Sequence, residues 1–110
     1  MDESHKDFLS VLGYCFLQHG RFGDARTVFE ALALLFPDDI RSRASLAYVQ
    51  LRLNQPGLAL DATDALLRLP LDARDRGFVR VIRGRALLAL GRLDEARLAS
   101  ADVQSIGHEP

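Results

Sequence analysis

The sequence predicts an all-α fold in which three helical hairpins stack side by side in a short right-handed superhelix. Small and turn-forming residues recur in step along the 110-residue chain. The first set is Gly13, Gly20 and Ala25. The second set, 34 residues later, is Ala47, Asn54 and Ala59, and the third, a further 37 residues on, is Gly84, Gly91 and Ala96. A period of 34 residues, stretched once by three, is typical of helix–turn–helix repeat arrays. Apolar residues recur at helical spacing, and no segment shows the sustained alternation of a strand.

The first hairpin is predicted from two amphipathic segments that Gly20 separates. The first segment has a wide apolar stripe made of Phe8, Leu9, Val11, Leu12, Cys15 and Phe16. Because Cys15 lies among these apolar residues, we expect its thiol to be buried. The second helix runs from Phe22 to Leu35 and ends before Pro37, since proline cannot continue the helical hydrogen-bond ladder.

The second hairpin begins after an acidic pair that can cap a helix. Asp38 or Asp39 is the predicted N-cap of a helix over roughly residues 39 to 52. Pro56 suits the first position of the next helix, which should reach about Arg68.

The third hairpin opens with Asp72 and Asp75, which resemble a capping box. The fifth helix should reach about Leu90, and the sixth should run from Leu93 to about Gln104. The repeats then span about 6–39, 40–76 and 77–106 of a single domain, with 107–110 as a frayed tail.

The last predicted helix is apolar where repeat arrays usually place a polar capping helix. Its apolar residues are Leu93, Ala96, Leu98, Ala99, Val103 and Ile106. We therefore expect another chain, either a substrate or a second copy, to cover the open end or the groove.

Composition argues against several classes of function. A net charge of −1 gives no reason to expect nucleic acid or membrane as a partner. The polar N-terminus does not resemble a secretory signal, no apolar stretch approaches the roughly 20 residues of a membrane span, and one cysteine excludes an intrachain disulfide. These features predict a cytoplasmic protein.

Residues for catalysis or metal binding are not grouped in the sequence. His5, His19 and His108 are scattered, without a neighbouring Cys or carboxylate cluster at ligand spacing. No pairing of nucleophile and base is evident, and the glycines match no phosphate-binding loop. We therefore expect no enzyme activity, no cofactor and no metal.

The chain resembles the tetratricopeptide repeat (TPR) family. The first repeat carries the motif in Leu9, Leu12, Gly13, Phe16, Gly20, Phe22, Ala25, Phe29 and Pro37. The later repeats depart from it at Arg43 and Thr63, and at Arg80, Arg83 and Ser100. The resemblance implies that the first helix of each hairpin lines a concave face that binds protein.

A narrower resemblance is to the small type III secretion chaperones of the SctY (YscY) kind. It rests on the short three-repeat length, the opening Phe8-Leu9, Leu17-Gln18 before Gly20, and the closing segment 91–97, Gly-Arg-Leu-Asp-Glu-Ala-Arg. That family implies a cytoplasmic chaperone that binds the early export substrate SctX and helps to bring it to the export gate. The alternatives are an SctG-like needle-subunit co-chaperone and a generic TPR scaffold, including one that self-associates.

The groove positions of the TPR family define the expected contact residues. They are Ser10, Val11, Tyr14 and Leu17 in the first repeat, Arg41, Tyr48, Leu51 and Arg52 in the second, and Phe78, Val81, Arg85 and Leu88 in the third. Tyr14 and Tyr48 are equivalent and should stack as successive rungs. The lining is mostly apolar with arginines at its edges, which suits an amphipathic helix or an extended segment.

Arginines are concentrated on the fifth helix and its start. Arg76, Arg80 and Arg83 share a face, with Arg74 and Arg85 nearby. One interpretation is a solvated face that Asp72 and Asp75 partly neutralise; the other is a docking patch for an acidic partner.

Overall fold

The computed structural model describes residues 3–99, and every regular element in that range is a helix. The complete helices are α1 (Glu3–Gln18), α2 (Phe22–Leu35), α3 (Ile40–Arg52), α4 (Pro56–Leu67) and α5 (Ala73–Ala89). A sixth helix, α6, begins at residue 93 and is helical through residue 99. The expected end of this helix near Gln104, its residues Ser100, Val103 and Ile106, and the tail at 107–110 lie outside the described residues.

The helices pack in chain order, each against the next, and α3 also packs against α5. Buried side chains form three clusters along the array. The first joins α1, α2 and α3 around Phe29, the second joins α3, α4 and α5 around Leu66, and the third joins α4, α5 and α6 around Leu87. The predicted all-α architecture of three successive hairpins is therefore confirmed.

The same turn closes all three hairpins. Gly20, Asn54 and Gly91 have φ values of 71°, 60° and 76°. After each of them, the next residue donates its N–H to a carbonyl five positions back, from Arg21 to Phe16, from Gln55 to Gln50 and from Arg92 to Leu87, at 2.8–2.9 Å. This left-handed helix ending satisfies carbonyls that the helix leaves unpaired, and it explains why Gly or Asn recurs at these positions.

Small residues allow the two helices of the first hairpin to approach closely. Gly13 of α1 faces the ring of Phe29 of α2, and both are buried. A Cβ built on Gly13 would lie 2.7 Å from Phe29 Cζ, so this position has no room for a side chain. Ala47, Ala25, Ala59 and Ala96, which recur at the small positions of the repeats, are also buried.

The helix ends follow the local sequence signals. The Asp72 carboxylate accepts a hydrogen bond from the Asp75 N–H at 2.8 Å and caps α5 as predicted. Pro56 occupies the first turn of α4, and α2 ends before Pro37. Asp39 is the N-cap residue of α3, but its carboxylate accepts from the Ser42 hydroxyl at 2.6 Å instead of capping a backbone N–H.

Polar residues at two apolar repeat positions have local partners. Thr63 is fully buried, and its hydroxyl donates to the carbonyl oxygen of Leu60 at 2.9 Å. Arg83 of α5 donates from Nε to Asp64 Oδ1 of α4 at 2.6 Å. This carboxylate partner of Arg83 lies on the preceding helix, whereas the solvated-face interpretation named only Asp72 and Asp75.

The prediction of a buried thiol at Cys15 is also wrong, because Cys15 is exposed. The apolar stripe of α1 is wider than the surface that α2 covers, and Cys15 lies on the uncovered side with Phe8 and Val11. None of the helices in the described part of the chain is long and apolar enough to cross a membrane.

Candidate partner-binding groove

The first helices of the three hairpins, α1, α3 and α5, line one open face of the array. Of these three helices, α3 and α5 pack directly against each other. Between α1 and α3 the link is a side-chain hydrogen bond, with Tyr14 Oη 3.1 Å from Ser45 Oγ. We call this face the concave groove.

One end of the concave groove is polar. A cavity of about 450 Å³ opens between α1, α3 and the start of α5. Its lining comprises Lys6, Asp7, Ser10, Tyr14, Asp39, Ile40, Arg41, Ser42 and Asp75. Lys6 Nζ lies 3.9 Å from Asp39 Oδ2, so carboxylates and cations are interspersed on this wall.

The middle of the concave groove is aromatic. An adjoining cavity of about 320 Å³ shares Tyr14, Arg41 and Asp75 with the first and adds Ser45, Arg74 and Phe78. The Tyr14 ring packs edge-on against Phe29 with a centroid distance of 5.3 Å, and its hydroxyl is held by Ser45. Tyr14 is therefore fixed in place from below, while Phe78 is 43% exposed beside it.

Four of the twelve expected contact residues meet at these two cavities. Ser10, Tyr14, Arg41 and Phe78 come from three different helices and line one continuous depression. The Tyr14 ring contacts Phe29 from the second helix of the same hairpin, and the arrangement of Tyr14 and Tyr48 as successive rungs stays a prediction. Tyr48 is half-buried.

Three other expected residues lie together at the end of the array. Val81, Arg85 and Leu88 line a depression of about 180 Å³ between α5 and α6, with Arg80, Gly84, Ala96 and Ala99. We call this depression the end groove. Among residues 3–99, it shares no lining residue with the two cavities of the concave groove.

The remaining expected residues have other surroundings. Leu17 and Leu51 are partly buried against hydrophobic clusters that join successive hairpins, so they contribute to the interior of the array. The Arg52 guanidinium lies 4.7 Å from the ring centroid of Phe22 and stacks over it. Val11 is exposed on α1 and lines neither cavity of the concave groove.

Several groove residues were missing from the sequence-based prediction. Lys6, Asp7, Asp39, Ser42 and Asp75 line the cavities. Together with Arg74, which the sequence placed in the candidate docking patch, they make the concave groove more polar than the expected apolar trough. Lys6 is the only lysine in the chain, and this feature of the sequence could have marked it as a candidate binding residue. The sequence indicates Asp39 as a candidate helix cap, and Asp75 as part of a capping box and as a neighbour of the arginine face.

These features define a class of protein: a helical repeat array with an open binding face. A family model described as Tetratricopeptide repeat matches residues 2–40 and 11–77, and a second of the same description matches residues 77–97. The chain therefore belongs to the tetratricopeptide repeat family. None of the curated proteins matches the sequence.

Solved structures share this fold. PcrH from Pseudomonas aeruginosa is similar with a TM-score of 0.87 at 22% identity, over all of this chain and 82% of that one. PcrH in complex with the chaperone binding region of PopD is similar with a TM-score of 0.87 at 22% sequence identity, and the match covers all of this chain and 81% of the PcrH chain. PcrH in complex with the chaperone binding region of PopB is similar with a TM-score of 0.86 at 22% sequence identity, and the match covers all of this chain and 87% of the PcrH chain. The fold is thus the predicted TPR superhelix.

Proposed function

We propose that this chain is a cytoplasmic chaperone of a type III secretion apparatus. It binds a segment of an export substrate in the concave groove and shields that segment before export. The observation that carries the proposal is the continuous depression across α1, α3 and α5, where Tyr14 and Phe78 lie beside charged and hydroxyl side chains.

Two lines of similarity support this function. The sequence resembles the small SctY-like chaperones, whose substrate is SctX. The fold is similar to that of PcrH, which has been solved with the chaperone binding regions of PopD and PopB. An SctX-like secreted protein is accordingly our first candidate for the substrate, and the export gate is the expected destination of the complex.

The chemistry of the concave groove favours binding over catalysis. Tyr14 and Phe78 offer aromatic surface on which an apolar side chain of the substrate can be buried. Arg41 offers donors for the backbone of a segment that brings no secondary structure of its own. Asp39 and Asp75 offer acceptors, as does the oxygen of Ser10, whose hydroxyl donates to the Lys6 carbonyl oxygen at 2.8 Å. Such a segment gains affinity from apolar burial and its position from the polar contacts.

The test is co-expression of the full chain with the SctX-like protein of the same genome, followed by calorimetry on the purified pair. We expect a complex whose dissociation constant rises at least about tenfold in Phe78→Glu, because a buried aromatic contact is worth about 1.5–3 kcal/mol. Leu58→Glu is the matched control, since Leu58 is exposed on α4 outside the concave groove.

Other outcomes decide between the alternatives. Binding of a needle subunit in place of the SctX-like protein would establish an SctG-like co-chaperone. Failure to bind any export substrate, or equal losses in Phe78→Glu and Leu58→Glu, would overturn the proposal.

A further inference from the structure

The outer side of α1 carries an exposed apolar stripe. Phe8 and Val11 are 68% and 69% exposed, and Cys15 is exposed with them. Their spacing of three and four residues places them on one face of the helix. We call this face the front stripe.

The front stripe has buried equivalents in the later repeats. Positions 34 residues on are Ser42, Ser45 and Val49 in α3, and positions 37 residues beyond those are Val79, Ile82 and Ala86 in α5. All six are at most 3% exposed. Val49 packs into the cluster of Phe29 in α2, and Ala86 into the cluster of Leu60 in α4. Each later hairpin therefore packs against the preceding hairpin through this face of its first helix.

The end groove is the complementary surface. Its residues Val81, Gly84 and Leu88 are equivalent to Ala44, Ala47 and Leu51 of α3. Ala44 is 2% exposed and packs with Val79 of α5, and Leu51 packs against a cluster that includes residues of α5. In contrast, Val81 and Leu88 are 39% and 57% exposed. Within residues 3–99, the end groove is an acceptor surface without a following hairpin.

Charges also match across the two surfaces. At the junction between the first two hairpins, Tyr14 shares a cavity with Arg41 of α3. The same repeat spacing makes Arg85 the equivalent of Tyr14 and Asp7 the equivalent of Arg41. A second copy docked in the same geometry would therefore bring its Asp7 towards Arg85, where opposite charges favour this orientation.

We infer that copies of this chain associate head to tail, with the front stripe of one copy in the end groove of the next. The contact repeats the junction between successive hairpins, so it buries apolar surface with geometry that the fold already uses twice. Because the two surfaces differ, the contact does not close into a symmetric dimer and can add further copies. Among the described residues of this contact, Asp7 is the one that also lines a cavity of the concave groove. Phe8, Val11, Val81 and Leu88 do not line those cavities, so the inference does not depend on the proposed substrate.

Sedimentation velocity of the full chain over a wide concentration range tests the inference. We expect the average mass to grow with concentration beyond that of a dimer. Val11→Glu and Leu88→Glu should each weaken self-association at least about tenfold, the factor that corresponds to about 1.4 kcal/mol. Leu34→Glu is the control, because Leu34 is exposed on α2 outside both surfaces and should leave association unchanged. Unchanged melting curves would show that the variants remain folded.

Mixing the two variants gives the sharper test. Val11→Glu retains its end groove and Leu88→Glu retains its front stripe, so the mixture should form a one-to-one dimer that does not grow further. Likewise, Asp7→Arg and Arg85→Asp should each weaken association when made alone. A chain that carries both changes should associate again, because opposite charges then face each other.

Three results would overturn the inference. The first is a monomer at every concentration. The second is loss of association in Val11→Glu but not in Leu88→Glu, which would indicate a symmetric contact between two α1 helices. The third is association that neither variant affects, which would place the contact on another surface.

Discussion

The ring of Phe29 occupies the space where a side chain at position 13 would have to lie. A Cβ built on Gly13 would be 2.7 Å from Phe29 Cζ and 3.0 Å from Cε1, well inside van der Waals contact. Phe29 is fully buried and is also packed by Tyr14, so the ring has little freedom to move away. The approach of α1 to α2, and with it the floor of the concave groove, depends on this glycine.

Gly13→Ala should lower the free energy of unfolding by about 1–2 kcal/mol. Overpacking a filled core typically costs about 1–3 kcal/mol, and the gain from replacing glycine within a helix, about 0.5–1 kcal/mol, offsets only part of it. The measurement is urea denaturation followed by circular dichroism. Gly77→Ala is the control, since an added Cβ there meets no atom within 4 Å and should stabilise α5. Equal stability of the two variants would contradict the close contact at Gly13.

Asn54 is the non-glycine member of the three turns, with a φ of 60°. Asn54→Ala should destabilise the protein by about 1 kcal/mol, because alanine is strained in the left-handed region that asparagine tolerates. Asn54→Gly should be as stable as the original chain or slightly more so. Thermal melting of the three proteins side by side checks this, and an alanine variant that melts with the original would argue against the turn.

The ion pair between Arg83 and Asp64 should couple α5 to α4 by about 0.5–1 kcal/mol in a double-mutant cycle, since both side chains are partly exposed. Added salt should reduce this coupling free energy. The pair of Arg21 and Asp24, also 2.6 Å apart but within one turn of chain and more exposed, is the comparison and should couple more weakly. A larger coupling for Arg21 and Asp24 would show that exposure does not control the difference.

Cys15 should react with a thiol reagent in the native protein at a rate comparable to that of the unfolded chain, because its side chain is exposed. The reaction rate is measured by absorbance at low protein concentration. If copies associate through the front stripe, the native rate should fall as protein concentration rises, whereas Leu88→Glu should keep the fast rate. Protection of Cys15 in dilute protein would be inconsistent with the exposed position.

Most of the fold could be predicted because its signals are local. Gly20 and Gly91 end helices through their own backbone conformation, Pro37 prevents α2 from continuing, and Asp72 caps α5 through a contact three residues away. The recurrence of these signals then predicts that the hairpins stack, since each hairpin repeats the same pattern of helix, turn and helix.

The candidate site was less predictable. The repeat spacing placed Tyr14, Arg41 and Phe78 on one face, and they do line adjoining cavities. It did not predict Lys6 or Asp75 in the lining, because their contribution depends on how far α1 stands from α3 and α5. Nor did it predict that Leu17 turns towards an interior cluster.

Local features of the sequence are enough to predict where helices begin and end, which positions must be small, and how the hairpins repeat, because each of these follows from backbone conformation and side-chain size near one residue. Which apolar side chains stay exposed to solvent depends instead on how the helices pack. Phe8, Val79 and Ser42 occupy equivalent positions, yet Phe8 is exposed while the other two are buried. The physical reason is that burial depends on whether another hairpin lies against the face, and a periodic pattern is the same at the end of an array as in its middle.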